Sequence, residues 1–259
     1  MSKRIMLLSY LMKTGEFSRA AEAVRAVQQR RVLVNGIVAE DPKTGIRRTS
    51  NILLVKDGVQ HALQLQRPLY LAMDKPPGYV CQKTSTGERT IYGLLDLFDL
   101  DPKTRASLFC IGRLDRDTEG LLLVTNDGQL EKLVTRPAHQ VMKTYEAIVE
   151  KPVSPADLAH LLAGVTIRDD DTGRSFPVRA VRAQLLGPRQ LELVITEGKK
   201  RQVKKMVAAL DNRVLSLKRT AIGGLRLADI DFHGSRIARI GQRELRRIAS
   251  KGTGAAQPF

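Results

Sequence analysis

The amino-acid sequence predicts an α+β protein of two domains, and three observations carry that prediction. A helical period runs straight into a hairpin within the first sixty residues, Leu121 to Thr125 forms a continuous apolar β-prone run, and Val203, Met206, Val207 and Leu210 form one stripe of an amphipathic helix. A length of 259 residues suits a small domain followed by a medium one. The net charge of +16 predicts an anionic partner, because neutralisation of phosphates by Lys and Arg dominates nucleic-acid affinity. A membrane is the rival for a basic chain. No apolar run of about 18 residues and no signal peptide is present, so a soluble cytoplasmic protein is expected. Cys81 and Cys110 are too few for a disulfide framework and are expected as reduced thiols in or near the core.

Residues 1–60 carry 11 Lys and Arg against 5 acids, a higher charge density than the remainder. Ser18 is placed to cap a helix starting at Arg19, with Ala20, Val24 and Val27 on its apolar face and Arg30 and Arg31 near its C-terminal end, where the dipole favours cations. Val32 to Val34, the pair Asn35-Gly36 and Ile37-Val38 read as a hairpin, and Ile52 to Val55 as a further strand ending at Lys56-Asp57-Gly58. This helix-and-hairpin unit resembles the small RNA-binding domain named after ribosomal protein S four. Arg19, Arg30 and Arg31 are the candidate RNA contacts on it. The alternative for each is an ordinary solvated arginine.

Residues 61–68, polar with alternating leucines and closed by Pro68, are expected as a linker. The second domain is expected over residues 69–250, followed by a disordered tail at 251–259. It opens with a strand, Leu69 to Met73, and a turn at Lys75-Pro76-Pro77-Gly78, where the prolines cannot donate to a ladder. Lys75 is a candidate phosphate contact, against the alternative of a plain turn lysine.

The run Gly112 to Gly128, GRLDRDTEGLLLVTNDG, sets Asp115 between Arg113 and Arg116 on a loop ahead of a buried strand. A carboxylate with a reference pKa of about 3.9 is ionised near neutral pH, and the flanking arginines favour the charged form while attracting a polyanion. Asp117 and Glu119 compete for any role given to Asp115. Downstream, Lys143 to Val149 reads as a strand with Tyr145 and Ala147 on one face; a pocket tyrosine offers a flat surface to a flipped base. Asp169 to Gly173 is expected as a hairpin turn, because the run lacks calcium-loop spacing. Leu191 to Ile195 is a strand. The helix after it starts among Lys200, Arg201, Lys204 and Lys205, and residues 197–219 hold 8 basic groups against 2 acids. That one-sided excess is expected to meet phosphate.

Taken in order, GRLDRDTEG, KTYEA (Lys143 to Ala147) and EGKKRQVKKM (Glu197 to Met206) resemble the signature motifs of the pseudouridine synthases that modify ribosomal RNA. Leu69 to Cys81 and Ile222-Gly223-Gly224 continue the likeness. The resemblance implies a catalytic domain built on a mixed, largely antiparallel sheet. It implies Asp115 as the nucleophile that lets a uracil leave its ribose and rejoin through carbon 5, with Tyr145 stacked on that base. It also implies Lys204, with Arg201 as runner-up, as the cation paired with the catalytic aspartate. The details lean towards small-subunit (16S) RNA, naked or partly assembled, as substrate of a monomer. A large-subunit target and a non-catalytic assembly factor stay open as alternatives.

The four histidines show no metal-ligand spacing, and neither GxxxxGK[ST] nor GxGxxG is present. No cofactor is expected, which suits a redox-neutral isomerisation.

Overall fold

The computed structural model describes residues 4–83 and 87–249. It divides into two compact units, Met1–Leu69 with Asp96–Phe109, and Tyr70–Leu95 with Cys110–Phe259. The expected tail at 251–259 lies outside the described residues.

In the first unit β1 (Arg4–Met6) pairs with β4 (Gly45–Arg47), while β2 (Val32–Val34), β3 (Ile37–Val38), β5 (Ile52–Lys56) and β6 (Val59–Ala62) form an antiparallel sheet in the order β3-β2-β5-β6. Asn35 and Gly36 take φ of 51° and 84°, the left-handed pair that closes a two-residue hairpin. The helix Ala20–Gln28 begins one residue later than expected. Its start is held by the Glu22 carboxylate, which accepts from the N–H groups of Ser18 and Arg19 at 3.0 and 3.2 Å. Its buried face is Ala23, Ala26 and Val27, and Ala20 is exposed.

The expected linker needs correction. His61 and Ala62 are laddered to β5, Leu63 is buried in this unit's core, and Gln66 donates to Thr14 O at 3.0 Å. The helix Pro102–Ser107, expected in the second domain, also belongs here: Lys103 pairs with Glu16 at 3.1 Å and Thr104 donates to Gln66 at 3.2 Å. Contacts distant in sequence decide both assignments, and no local pattern encodes them.

The second unit contains β7 (Tyr70–Lys75), β8 (Phe109–Ile111, whose first residue is the last of the first unit), β9 (Glu119–Thr125), β10 (Lys143–Val149), β11 (Val165–Arg168), β12 (Ser175–Val178), β13 (Arg182–Gly187), β14 (Gln190–Ile195), β15 (Val214–Ile222), β16 (Leu225–Arg226) and β17 (Ile237–Arg239). Among the described residues its main sheet runs β13-β14-β10-β15-β9-β7-β17, with β16 beside β15 and β8 beside β9. Of the pairs along that main path, β9 with β15 is parallel and the others are antiparallel. This is the mixed, largely antiparallel sheet that the motifs implied. β9 begins at Glu119, two residues before the apolar run, and Asp127 caps the helix Gly128–Thr135 by accepting from Gln129 N–H at 2.9 Å instead of closing a turn. The acidic run Asp169 to Gly173 joins β11 to β12 as a hairpin.

Side-chain alternation places the chemistry. On β10, Lys143, Tyr145, Ala147 and Val149 are buried while Thr144, Glu146 and Ile148 are less so. The helix Gln202–Ala208 buries Val203, Met206 and Val207, each such side chain contributing about 1.5–3 kcal/mol. Leu210, the expected fourth member of that stripe, falls past the helix end and is half-buried.

Candidate active site

A pocket of about 420 Å³ opens in the second unit, within the range of roughly 300–1,000 Å³ usual for small-molecule sites. The loop between β8 and β9 brings Arg113, Asp115 and Arg116 to it, β10 brings Lys143 and Tyr145, and β15 brings Arg219. Lys199, Lys200 and Arg201 line it from the turn after β14.

The loop is held from below. Lys75, at the end of β7, is 0% exposed, and its ammonium donates to the main-chain carbonyls of Thr118 (2.7 Å), Pro76 (3.1 Å), Asp115 (3.2 Å) and Arg116 (3.3 Å). This corrects the expectation of a phosphate contact: Lys75 is the buried cation that fastens the loop. Burial lowers its pKa, opposed by Cys81 and the nearby acids. The N–H of Thr118 donates back to Asp115 O at 3.0 Å, closing a turn, and Leu114 N–H donates to Cys81 Sγ at 3.4 Å. Both cysteines are free thiols. A hydrogen bond from Cys110 leads the influences that hold Cys81 at about 6 against its burial, and Cys110 is pushed up in turn. Among the described residues nothing hydrogen-bonds the Asp115 side chain, which is left partly exposed in the pocket.

Lys204 also needs correction. Its ammonium lies 2.5 Å from an Asp117 oxygen, with Arg201 at 3.8 Å from the other, so both candidate partners of Asp115 engage the acid two residues along. The turn from Asp115 to Thr118 separates the two carboxylates and puts Asp117 beside the helix start. Burial opposes ionisation of Asp117, but the Lys204 hydrogen bond and charge outweigh it and lower its pKa. Two further phosphate candidates are occupied by the acidic hairpin, Lys200 on Asp171 at 2.7 Å and Lys205 on Asp170 at 3.0 Å. Arg113 and Arg116 are exposed, Arg116 lying 3.8 Å from Glu88.

Tyr145 is 8% exposed, and its hydroxyl oxygen accepts from Arg219 Nη1 at 3.5 Å. Arg219 is 4% exposed and donates through Nε to Leu121 O at 2.7 Å. Lys143, 9% exposed, donates to Thr196 O at 3.1 Å, and burial, with Arg219 adding to it, lowers its pKa to about 8. Sequence reasoning gave neither residue a role. The available signal was a cation at an inward position of a strand, Lys143 in phase with Tyr145 and Arg219 in phase with Leu217 and Ala221.

Arg19, Arg30 and Arg31 lie in the first unit. Arg19 and Arg30 are exposed, Arg30 pairing with Glu40 at 3.4 Å, and Arg31 is half-buried. Among the described residues no three His, Cys, Asp or Glu side chains converge as a metal-holding group, and no helix is long and apolar enough to cross a membrane.

Residues 69–209 match the RNA pseudouridylate synthase family. The chain belongs to that family. It is 34% identical over 211 residues to ribosomal small subunit pseudouridine synthase A of Escherichia coli strain K12, covering 80% of this chain and 84% of that one. The protein of the same name from Yersinia pestis is 32% identical over 212 residues, covering 82% and 85%. An uncharacterized RNA pseudouridine synthase of Bacillus subtilis strain 168 is 32% identical over 224 residues, covering 86% and 90%. A crystal structure of a pseudouridylate synthase aligns with this pseudouridylate synthase family member at a TM-score of 0.64 and 28% identity, covering 95% of this chain and 100% of that one.

Proposed function

We propose that the protein isomerises a specific uridine of ribosomal RNA, with the small-subunit RNA as the favoured substrate. The observation that carries this reading is Asp115, a carboxylate held by its backbone and left available in a pocket that also presents one tyrosine. In this reading Asp115 is the nucleophile and Tyr145 the surface on which the flipped base stacks. Lys204 positions the loop through Asp117. The exposed arginines at the pocket, Arg113, Arg116 and Arg201, meet the RNA backbone, and the first unit supplies a second basic surface through Arg19, Arg30 and Arg31. The chemistry needs no cofactor, and a monomer in the cytoplasm suffices for it.

The relatives named for the ribosomal small subunit support the choice of RNA, and the net charge of +16 supports a polyanionic substrate. A flipped nucleotide costs a few kcal/mol to unstack, less in a loop or bulge.

The test is carbodiimide mapping by primer extension on unmodified small- and large-subunit RNA, incubated with wild type or Asp115→Asn. A new stop on small-subunit RNA with wild type alone is expected. A stop on large-subunit RNA only would move the substrate. Stops with both proteins would remove Asp115 from its role, and silence on both RNAs and on assembly intermediates would leave a binding factor.

A further inference from the structure

Among the described residues, the cations around the pocket differ in how their charge is met: Arg113 is exposed and Lys199 lies over the Phe176 ring. Lys200, Lys204 and Lys205 each sit on an aspartate, and Lys75, though buried, has four carbonyl acceptors. Arg219 and Lys143 differ. Both are more than nine-tenths buried, both line the pocket, and neither has a carboxylate partner among the described residues. Among the described residues, the buried Nη2 of Arg219 has no hydrogen-bond partner. Two uncompensated cations side by side are costly inside a protein unless something anionic joins them.

The proposed reaction supplies such an anion. The bond from nitrogen 1 of uracil to the ribose breaks with its electron pair on the base, and the electron-poor sugar carbon is met by Asp115. Carbon 5 of the base then bonds to that sugar carbon as the Asp115 oxygen leaves it with the electron pair, the hydrogen of carbon 5 departs as a proton, and nitrogen 1 gains one. Atoms and electrons balance without an oxidant. Between the two bonds the detached uracil carries a negative charge shared by ring nitrogen 1 and its carbonyl oxygens.

We propose that Arg219, through its unpartnered guanidinium nitrogen, and the adjacent Lys143 stabilise the detached uracil anion, which makes both catalytic residues. The inference rests on the pseudouridine synthase reading above. Fixed donors aimed where charge develops act most strongly in a buried site, and loss of one such donor typically costs about 10²–10³ in rate. Backbone phosphates are the other anions in the RNA, but they suit the exposed arginines of the loop better than groups buried beside Tyr145.

The test compares RNA affinities and single-turnover rates of breaking the bond from nitrogen 1 to ribose, the step both substrates share because fluorine at carbon 5 cannot leave as a proton, for wild type, Arg219→Met, Arg219→Lys and Lys143→Met on the mapped RNA carrying either uridine or 5-fluorouridine at the target. Fluorine withdraws electrons and makes the departing base a weaker base. Arg219→Met is expected to lose about 10²–10³ in rate on uridine and distinctly less on 5-fluorouridine, with RNA affinity within about threefold of wild type and partial recovery in Arg219→Lys. Lys143→Met, which leaves the β9 to β15 hydrogen bonds intact, should show the same narrowing and carries the test if Arg219→Met does not fold. Equal losses on both substrates, or a loss confined to affinity, would overturn the proposal while the functional reading stands. An inactive wild type would overturn both.

Discussion

The buried ammonium of Lys75 reaches the main-chain carbonyl of Asp115 at 3.2 Å, so the last residue of β7 fixes the backbone that carries the candidate nucleophile. Three more carbonyls share the same ammonium. Substituting Met leaves those acceptors buried without their donor, at about 1–3 kcal/mol for each one not rescued by water. Lys75→Met should lower stability in urea by about 3 kcal/mol and slow turnover by about 10², because a displacement of about 1 Å is enough for that. The salt dependence of RNA binding should keep its slope; a slope reduced by about 0.7–0.9 would return Lys75 to the phosphate contacts.

Gly120 stands opposite Arg219 in the parallel pair, with φ of 101°. A Cβ added there would lie 2.3 Å from the carbonyl oxygen of Arg219. Gly120→Ala combines left-handed strain with a backbone clash, a cost of roughly 3 kcal/mol or more. Thermal unfolding should show a drop of about 6–12 °C. An unchanged melting temperature would mean that β9 and β15 are not so closely paired.

Asp117 and Lys204 should behave as one unit. If Lys204 acts by holding Asp117, Asp117→Asn and Lys204→Met each lower the single-turnover rate about tenfold, and the double variant is no worse than either. A loss in Lys204→Met that exceeds that of Asp117→Asn by about 10² would show that Lys204 moves to Asp115 once RNA is bound.

Lys143 ties stability to pH. Below pH 8 its ammonium is charged in the folded and the unfolded chain, so folding carries the full cost of burying it. Between about 8 and 10.5 the folded chain loses the proton first, and stability rises with pH by up to about 3 kcal/mol. Lys143→Met should therefore be more stable than wild type at pH 7, with the difference shrinking to nothing by pH 10.5. A constant difference would place the Lys143 ammonium in water.

Much of this arrangement was legible in residues close together along the chain. Asn35-Gly36 specifies its hairpin because the pair tolerates two positive φ values, and the stripe at Val203, Met206 and Val207 specifies a helix because 3.6 residues make a turn. The four-residue run GRLD marked Asp115 through its resemblance to a family motif. The partners of the cations were not legible in this way. Lys75, Lys204 and Arg219 are ordinary basic residues in the sequence, and their separate roles depend on which carbonyl or carboxylate the fold brings within about 3 Å.

What the sequence determined by itself was the two-domain α+β character, two of the helices and several strands including β2, β9, β10 and β14, and the basic surface, while the role of Asp115 came from the resemblance of its motif. All but that role follow from periodicity, turn chemistry and charge, which act over a few residues or over the whole chain at once. The tertiary structure decided that helix 102–107 joins the first unit, that β9 lies parallel to β15, that Lys204 faces Asp117, and that Arg219 and Lys143 share the pocket with no carboxylate partner among the described residues. Each of those depends on strand order and register between segments as much as a hundred residues apart. A side chain's charge is written in the sequence, but its burial and its partner exist only once the sheet has closed around it.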